Sequence, residues 1–305
     1  MLSFDPNFFL GETRDGFYIE PMMKCAWAAQ LEVLEVLRQI CEKHQIRYFA
    51  DWGTLLGAAR HQGFIPWDDD VDICMIRNDY ERFLELAPSE LPENFDIRTI
   101  YRCTEWDISF ARLINADNIS YSPERLQRFH GCPYAVGIDI FPLDAVPEIK
   151  ALEEDQSMLI QILIGSAKAC EDKLDEIMEI LPDLENLCGV TFDHEKSIPN
   201  QLLQEVDRVS RKYNRKENKI ISFIPENSNH PYHLKSEWYR TTTYLPFENI
   251  QMPVPGNYDE VLTVLYGDWR TPVRGVAGHD YPFYKKQQKT FSDQLTDRIM
   301  RGETF

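Results

Sequence analysis

The stretch Asp51-Trp52-Gly53-Thr54-Leu55-Leu56-Gly57-Ala58-Ala59-Arg60-His61-Gln62-Gly63-Phe64-Ile65-Pro66-Trp67-Asp68-Asp69-Asp70-Val71-Asp72 decides how this 305-residue chain is read. Four carboxylates, Asp68, Asp69, Asp70 and Asp72, run straight into the β-branched alternation Val71-Asp72-Ile73-Cys74-Met75-Ile76. In a strand, residues two apart share a face, so Asp70 and Asp72 present two carboxylates side by side. Such charges repel unless a cation lies between them, and a divalent cation with oxygen ligands, Mg²⁺ with Mn²⁺ as substitute, suits them. The bland alternative is a solvated acidic turn. The apolar Val71, Ile73 and Met75 argue against it, because they bury the strand.

Working outward, Ile46 to Ala50 reads as a short strand, so Gly53-Thr54 sits at a corner between that strand and a short helix, Leu55 to His61. A glycine there lets a phosphate approach the backbone, and the helix N-terminus supplies N–H donors. By itself a Gly-Thr pair is an ordinary turn. Placed before an Asp-x-Asp strand, it matches the way nucleotidyltransferase-like folds hold a nucleotide. A third carboxylate comes from Val136-Gly137-Ile138-Asp139-Ile140-Phe141, where Asp139 lies between apolar neighbours and needs a metal or a catalytic role to offset its burial. Asp144, just after Pro142, reads as a turn residue or cap. Arg112, in the apolar strand Ile108 to Ile114, either neutralises a phosphate or pairs with a carboxylate.

Elsewhere, Pro21 to His44 has the three-and-four spacing of an amphipathic helix through Trp27, Leu31, Leu34, Leu37 and Cys41. Asn78 and Asp79 are candidate caps of a helix ended by Pro88. A further strand is expected at Asp96 to Thr99. From Ala151 to Gly189 ten acidic residues face only Lys168 and Lys173, with helical periodicity throughout. Pro199 to Lys216 continues as helix, and after Asn218 the pattern becomes β-like and aromatic before a helix at Asp259 to Tyr266. The last twenty residues read as a docked or frayed polar tail. The expected architecture is α/β (α+β): a mixed sheet with flanking helices over residues 1–150, a helical insertion over 151–234, and a return segment over 235–305 that packs on the core.

Composition sets limits on partners. With 32 basic and 50 acidic side chains the net charge is −18, which opposes general nucleic-acid binding and bulk-charge docking on an anionic membrane. Neither limit touches a single nucleotide in a local pocket. The seven scattered cysteines contain no Cys-x-x-Cys spacing, so buried free thiols are expected rather than a zinc ribbon or disulfide framework. His230 and His233 lack a third ligand and read as structural. With no secretory signal and no membrane-length apolar stretch, the expected location is cytoplasmic, free or peripheral at the inner face of the membrane.

The run from Gly53 to Asp72 closely resembles the signature of the LicD family, phosphocholine transferases of bacterial surface glycans, to which fukutin and fukutin-related protein are distantly related. The resemblance continues in Ile138-Asp139-Ile140-Phe141-Pro142-Leu143-Asp144, in Phe247-Glu248, in Pro253-Val254-Pro255-Gly256-Asn257-Tyr258-Asp259 and in Leu265-Tyr266-Gly267-Asp268-Trp269. It leaves the helical insertion uncovered. Ala59 replaces a commoner valine without breaking the motif, and the cysteine-rich zinc element of the fukutin-related branch is absent, which favours the bacterial branch. The resemblance implies that Asp70, Asp72 and Asp139 are catalytic and bind metal, and that Gly53 and Thr54 form the phosphate corner. It further implies a CDP-choline or related CDP-alcohol donor, a glycan or lipid-linked glycan acceptor, and release of CMP. Arg60 and Arg112 are then candidate phosphate contacts. Trp67, with Trp52, Tyr266 and Trp269, is a candidate cation–π wall for a quaternary ammonium. Two other readings use the same residues: a nucleotidyltransferase acting on a sugar phosphate or small molecule, and a non-catalytic binding protein on the same fold.

Overall fold

Asp15 and Gly16 both adopt positive φ, 48° and 71°, the conformation an Asp-Gly hairpin turn requires. They join β1 (Glu12–Arg14) to β2 (Phe17–Ile19), a hairpin whose signal is that dipeptide. The computed structural model describes residues 1–215, 218–273 and 281–301. Helix α1 (Pro21–His44) starts on Pro21, whose missing N–H has no role in a first turn, and stops where Gln45 turns left-handed. Its stripe of Trp27, Leu31, Leu34, Leu37 and Cys41 is buried.

The chain then builds β3 (Phe49–Ala50), α2 (Trp52–His61), β4 (Asp72–Ile76), α3 (Arg77–Leu86), β5 (Asp96–Arg98), β6 (Ala111–Ile114), α4 (Pro123–Arg128) and β7 (Gly137–Ala145). Five strands in the order β3-β4-β7-β6-β5 form the main path of a seven-stranded sheet, which two later strands extend from β7. Only β4 and β7 run parallel; the other neighbours are antiparallel. The expected mixed α+β sheet is therefore present. Two expected strands are shorter, at Phe49–Ala50 and Ala111–Ile114, because only those residues find ladder partners.

Two local expectations are corrected. Helix α3 leaves β4 at Arg77 without a side-chain cap, so Asn78 and Asp79 lie inside its first turn. Asp144 is neither turn nor cap: β7 continues through Pro142 to Ala145 and buries Asp144 completely. Pro142 is tolerated because β7 has left β6 after Ile140 and meets β8 (Ile220–Ser222) only from Asp144 onward. The polar tail contains a helix, introduced below as α9.

The long helix α5 (Lys150–Cys188), bent at Lys173, packs on α6 (Ile198–Ser210). Ile160, Leu163, Leu181, Leu202 and Val206 form a second apolar core there, with Ile100 and Val146 reaching in from the sheet side. After α7 (Ile224–Asn227), β9 (Leu234–Lys235) pairs with β8. The hairpin β10 (Thr242–Phe247) and β11 (Ile250–Pro255), followed by α8 (Tyr258–Tyr266), returns to the first core through Phe247, Met252, Val254 and Leu262. Helix α9 (Tyr284–Met300) docks its start on the core. Tyr284 stacks on Tyr134 at 4.7 Å, and the Gln287 amide both donates to and accepts from the Ala135 backbone.

Candidate functional site

The turn from β3 into α2 is built around two backbone bonds to Asp72. The Asp51 N–H donates to the Asp72 carbonyl at 3.0 Å, and the Asp72 N–H donates to Thr54 Oγ1 at 2.8 Å. Thr54, expected at a phosphate corner, is thus buried and fixes the start of the acidic strand. Trp52 takes a φ of 41° to make the corner. Gly53 next to it has no room for a side chain, since a Cβ would lie 2.4 Å from Asp68 Oδ2. Glycine here lets a carboxylate approach the helix start.

The loop carrying the acidic cluster is clamped from outside. Trp27 Nε1 donates to the Asp68 carbonyl at 3.2 Å, and Gln30 Nε2 to that of Asp69 at 2.6 Å. Glu248 accepts from Phe64 N–H at 3.2 Å and Arg14 Nη1 at 2.6 Å, while a Cβ on Gly63 would come within 2.3 Å of Glu248 Oε1. This explains why Gly63 and Glu248 occur together although 185 positions separate them by order of the chain. Tertiary structure also divides the four carboxylates. Asp69 turns inward, is buried, and accepts the Phe283 N–H at 2.5 Å. Asp68, Asp70 and Asp72 line a cavity of about 400 Å³.

The same cavity is lined by Gly53, Arg60 and Trp67 and closed on its far side by Tyr266, Asp268 and Trp269. Of the expected site residues, therefore, Gly53, Arg60, Trp67, Asp70 and Asp72 come together, and the late Tyr266-Gly267-Asp268 motif gains a place as a wall. Asp268 carried no chemical signal in the sequence beyond its position in that motif. Trp52 leaves the group: its ring packs on Phe141 and Tyr232 at 6.4 and 5.5 Å. Arg60 is half-buried, and its Nη1 donates to the Trp269 carbonyl at 2.9 Å, holding the wall to α2. Burial lowers the Arg60 guanidinium below its usual range, opposed by Asp15 and Tyr266. A cation in that condition gains from an anionic ligand.

Register places Asp139 opposite Asp72 on β4 and opposite Arg112 on β6. Arg112 grips Asp139 with both Nε and Nη2, the latter at 2.7 Å. The ion-pair reading of Arg112 is the one seen, and Asp139 meets a guanidinium. Asp72 is pushed well above the usual carboxylate range, first by burial and then by the charges of Asp70, Asp139, Asp68 and Asp51. Burial, followed by the charges of Asp51, Asp72, Asp68 and Asp70, also raises the Tyr266 phenol. Hard oxygen donors that repel one another suit a divalent cation. Among the described residues no three Asp, Glu, His or Cys side chains already converge on one point. Asp70 and Asp72 supply oxygen donors of that kind on the cavity wall.

Asp51, buried and capping α2, is pushed up to about 7 by burial. Its folded value lies above the unfolded carboxylate, about 3.9, so its contribution to stability is complete below that value and is lost as pH rises through about 7. Asp51→Asn keeps the cap and removes the titration. Its melting temperature should therefore fall less than that of the wild type between about pH 5 and about pH 8. Parallel thermal-melt profiles for the two proteins would refute this assignment.

Residues 45–148 match the family model described as LicD/FKTN/FKRP, nucleotidyltransferase domain. The chain carries a LicD-family domain. It is 26% identical over 245 residues to the lipopolysaccharide cholinephosphotransferase LicD of Haemophilus influenzae, covering 78% of this chain and 88% of that protein. An uncharacterized protein of Rickettsia typhi is 40% identical over 57 residues, 19% of this chain and 18% of its own. Human ribitol 5-phosphate transferase FKRP is 35% identical over 74 residues, 24% of this chain and 15% of its own. The LicD domain spans β3 to β7 and so contains every carboxylate of the Asp72 row. The wall formed by Tyr266, Asp268 and Trp269 lies outside it. No described helix is long and apolar enough to cross a membrane.

Proposed function

We propose that this protein is a phospho-alcohol transferase of the LicD type. It moves phosphocholine, or a similar phospho-alcohol, from a CDP-alcohol to a hydroxyl of a cell-surface glycan or its precursor. The observation that carries this reading is the single cavity in which Asp70 and Asp72 face Arg60, Trp67 and Tyr266. The likeness to a lipopolysaccharide cholinephosphotransferase over most of both chains supports it.

In the reaction, the acceptor hydroxyl oxygen bonds to the phosphorus that bears the alcohol, the bond from that phosphorus to the CMP oxygen breaks, and CMP leaves. Asp70 and Asp72 would hold Mg²⁺, with Mn²⁺ as substitute, and such an ion neutralises charge on the diphosphate and on departing CMP. Arg60 would contact phosphate oxygens from the end of α2. Arg112 keeps Asp139 in the row beside Asp72, where Asp139 would bind the same ion or take the acceptor proton. The indole of Trp67, set edge-on to Phe17 and His61 at 6.2 Å each, together with Tyr266 and Trp269, offers aromatic faces to a quaternary ammonium. Arg270 lies over the Trp269 ring at 4.4 Å, so Trp67 is the better candidate for the cation.

The test is to incubate the purified protein with Mg²⁺ and a panel of CDP-alcohols, with and without lipopolysaccharide core oligosaccharide, and to analyse products. CMP together with a phosphodiester on the glycan is expected. Pyrophosphate release with a nucleotide on the acceptor would replace this reading with nucleotidyl transfer, and no turnover with any donor would overturn it. Trp67→Ala should raise KM for a CDP-choline donor by about tenfold, the worth of a desolvated cation–π contact, and change that for CDP-ethanolamine much less. Equal losses for both donors would remove Trp67 from the choline site.

A further inference from the structure

A second, larger cavity of about 1000 Å³ lies between α5, α6, the segment ahead of β6 and the segment after β8. Its walls include Phe110, Gly165, Lys168, Leu203, Phe223 and Asn229. The family model over residues 45–148 does not reach its α5 and α6 sides. Three features connect it to the reaction.

Its inner end adjoins the carboxylate row. Phe110, just ahead of β6, packs on Phe141, which alternation along β7 puts on the same sheet face as Asp139, itself opposite Asp72. Phe110 packs on Phe141 at 4.4 Å and on Phe223 at 6.1 Å, giving an aromatic floor between the row and the cavity.

Gly165 lies well inside α5, where glycine weakens a helix relative to alanine. A Cβ there would meet no atom within 4 Å, so packing does not call for glycine; its absence of a side chain keeps the cavity wide. Charge singles out the third feature. In the acidic stretch of α5, Lys173 pairs with Glu176 at 3.2 Å. Lys168 shares the cavity wall with Asp107, Glu171 and Glu226, three carboxylates against one cation. Aromatic and apolar faces set among such polar groups are the makeup of a ligand site.

We propose that this groove is the acceptor site of the transferase, holding the glycan chain whose hydroxyl is modified. Apolar faces of the sugars lie against Phe110, and Lys168 with Asp107, Glu171 and Glu226 hydrogen-bonds the sugar hydroxyls. The proposal rests on the transfer reading above and specifies where its second substrate binds.

Binding of lipopolysaccharide core oligosaccharide is measured by saturation-transfer NMR on the full chain, independently of turnover. Signals are expected with the wild type, to weaken at least about tenfold in Gly165→Trp, which fills the groove from an open position, and to weaken less in Lys168→Ala. Gly165→Ala should melt higher than the wild type and keep binding, which separates occupancy of the groove from any damage to α5. Acceptor-free hydrolysis of CDP-choline is followed in parallel and should be unchanged in Gly165→Trp. Absence of oligosaccharide signals from the wild type, or equal signals from Gly165→Trp, would overturn the proposal. Failure of CDP-choline turnover with oligosaccharide binding intact would instead overturn the transfer reading and leave the groove a glycan site.

Discussion

Asp72→Asn should lose phospho-alcohol transfer by about 10³-fold or more, the scale on which removal of a preorganised charge in a closed site acts, while the metal-free protein becomes more stable. The two effects share one cause. Asp72 is held beside Asp70, Asp139 and Asp68 in a half-buried row, and its carboxyl is raised well above the usual range. A carboxylate whose folded value is raised destabilises the fold as pH climbs above its unfolded value, because the folded state resists its ionisation. An isosteric amide removes that repulsion and with it the charge a cation needs. CMP release gives the first measurement. Thermal melts in a chelator at rising pH give the second, with the advantage of Asp72→Asn growing toward neutral pH. Activity within tenfold of the wild type, or a lower melting temperature in chelator, would falsify the assignment of Asp72.

The second large effect falls far from the cavity. Arg77 is buried at the start of α3, and its Nε donates to Asp144 Oδ1 at 2.8 Å while its Nη1 donates to Asp207 Oδ1 at 2.8 Å. Tyr101 Oη adds a bond to Asp207 Oδ2 at 2.7 Å, and Asn214 Nδ2 one to Asp144 Oδ1 at 2.6 Å. Asp144 belongs to β7 of the central sheet and Asp207 to α6 of the insertion, so one guanidinium joins the two halves of the molecule. Arg77→Met leaves buried Asp144 without its cation and Asp207 with only Arg211, 3.7 Å away, and urea denaturation should show a loss of about 3–5 kcal/mol. Neutralising all three groups, in Arg77→Met with Asp144→Asn and Asp207→Asn, should recover most of that loss, since desolvated charges return little once none is left unpaired. A loss below about 1 kcal/mol, the worth of an exposed pair, would show that the network does not carry the junction.

What was legible from order alone follows the range of the interactions involved. The stripe of α1 and the alternation of β4 are written in spacings of two to four residues, so both were readable at nearly their observed limits. The hairpin at Asp15-Gly16 was equally local and was passed over because its strands are only three residues each. The partnership of Arg77 with Asp144 was not readable. Arg77 gave no signal of its own, Asp144 read as a turn residue or cap, and only the parallel register of β4 and β7 brings them together.

For the candidate site, sequence by itself determined the residue types: crowded carboxylates at the head of a buried strand, a glycine corner before them, and a family signature around both. Tertiary structure decided their uses. It turned Asp69 inward to hold the segment before α9, set Arg112 on Asp139, drew Thr54 onto the Asp72 backbone, and carried Tyr266 and Asp268 across to close the cavity. The physical reason is that a carboxylate's charge is fixed by its chemistry, whereas its partner depends on which distant backbone or guanidinium the fold brings within hydrogen-bond reach.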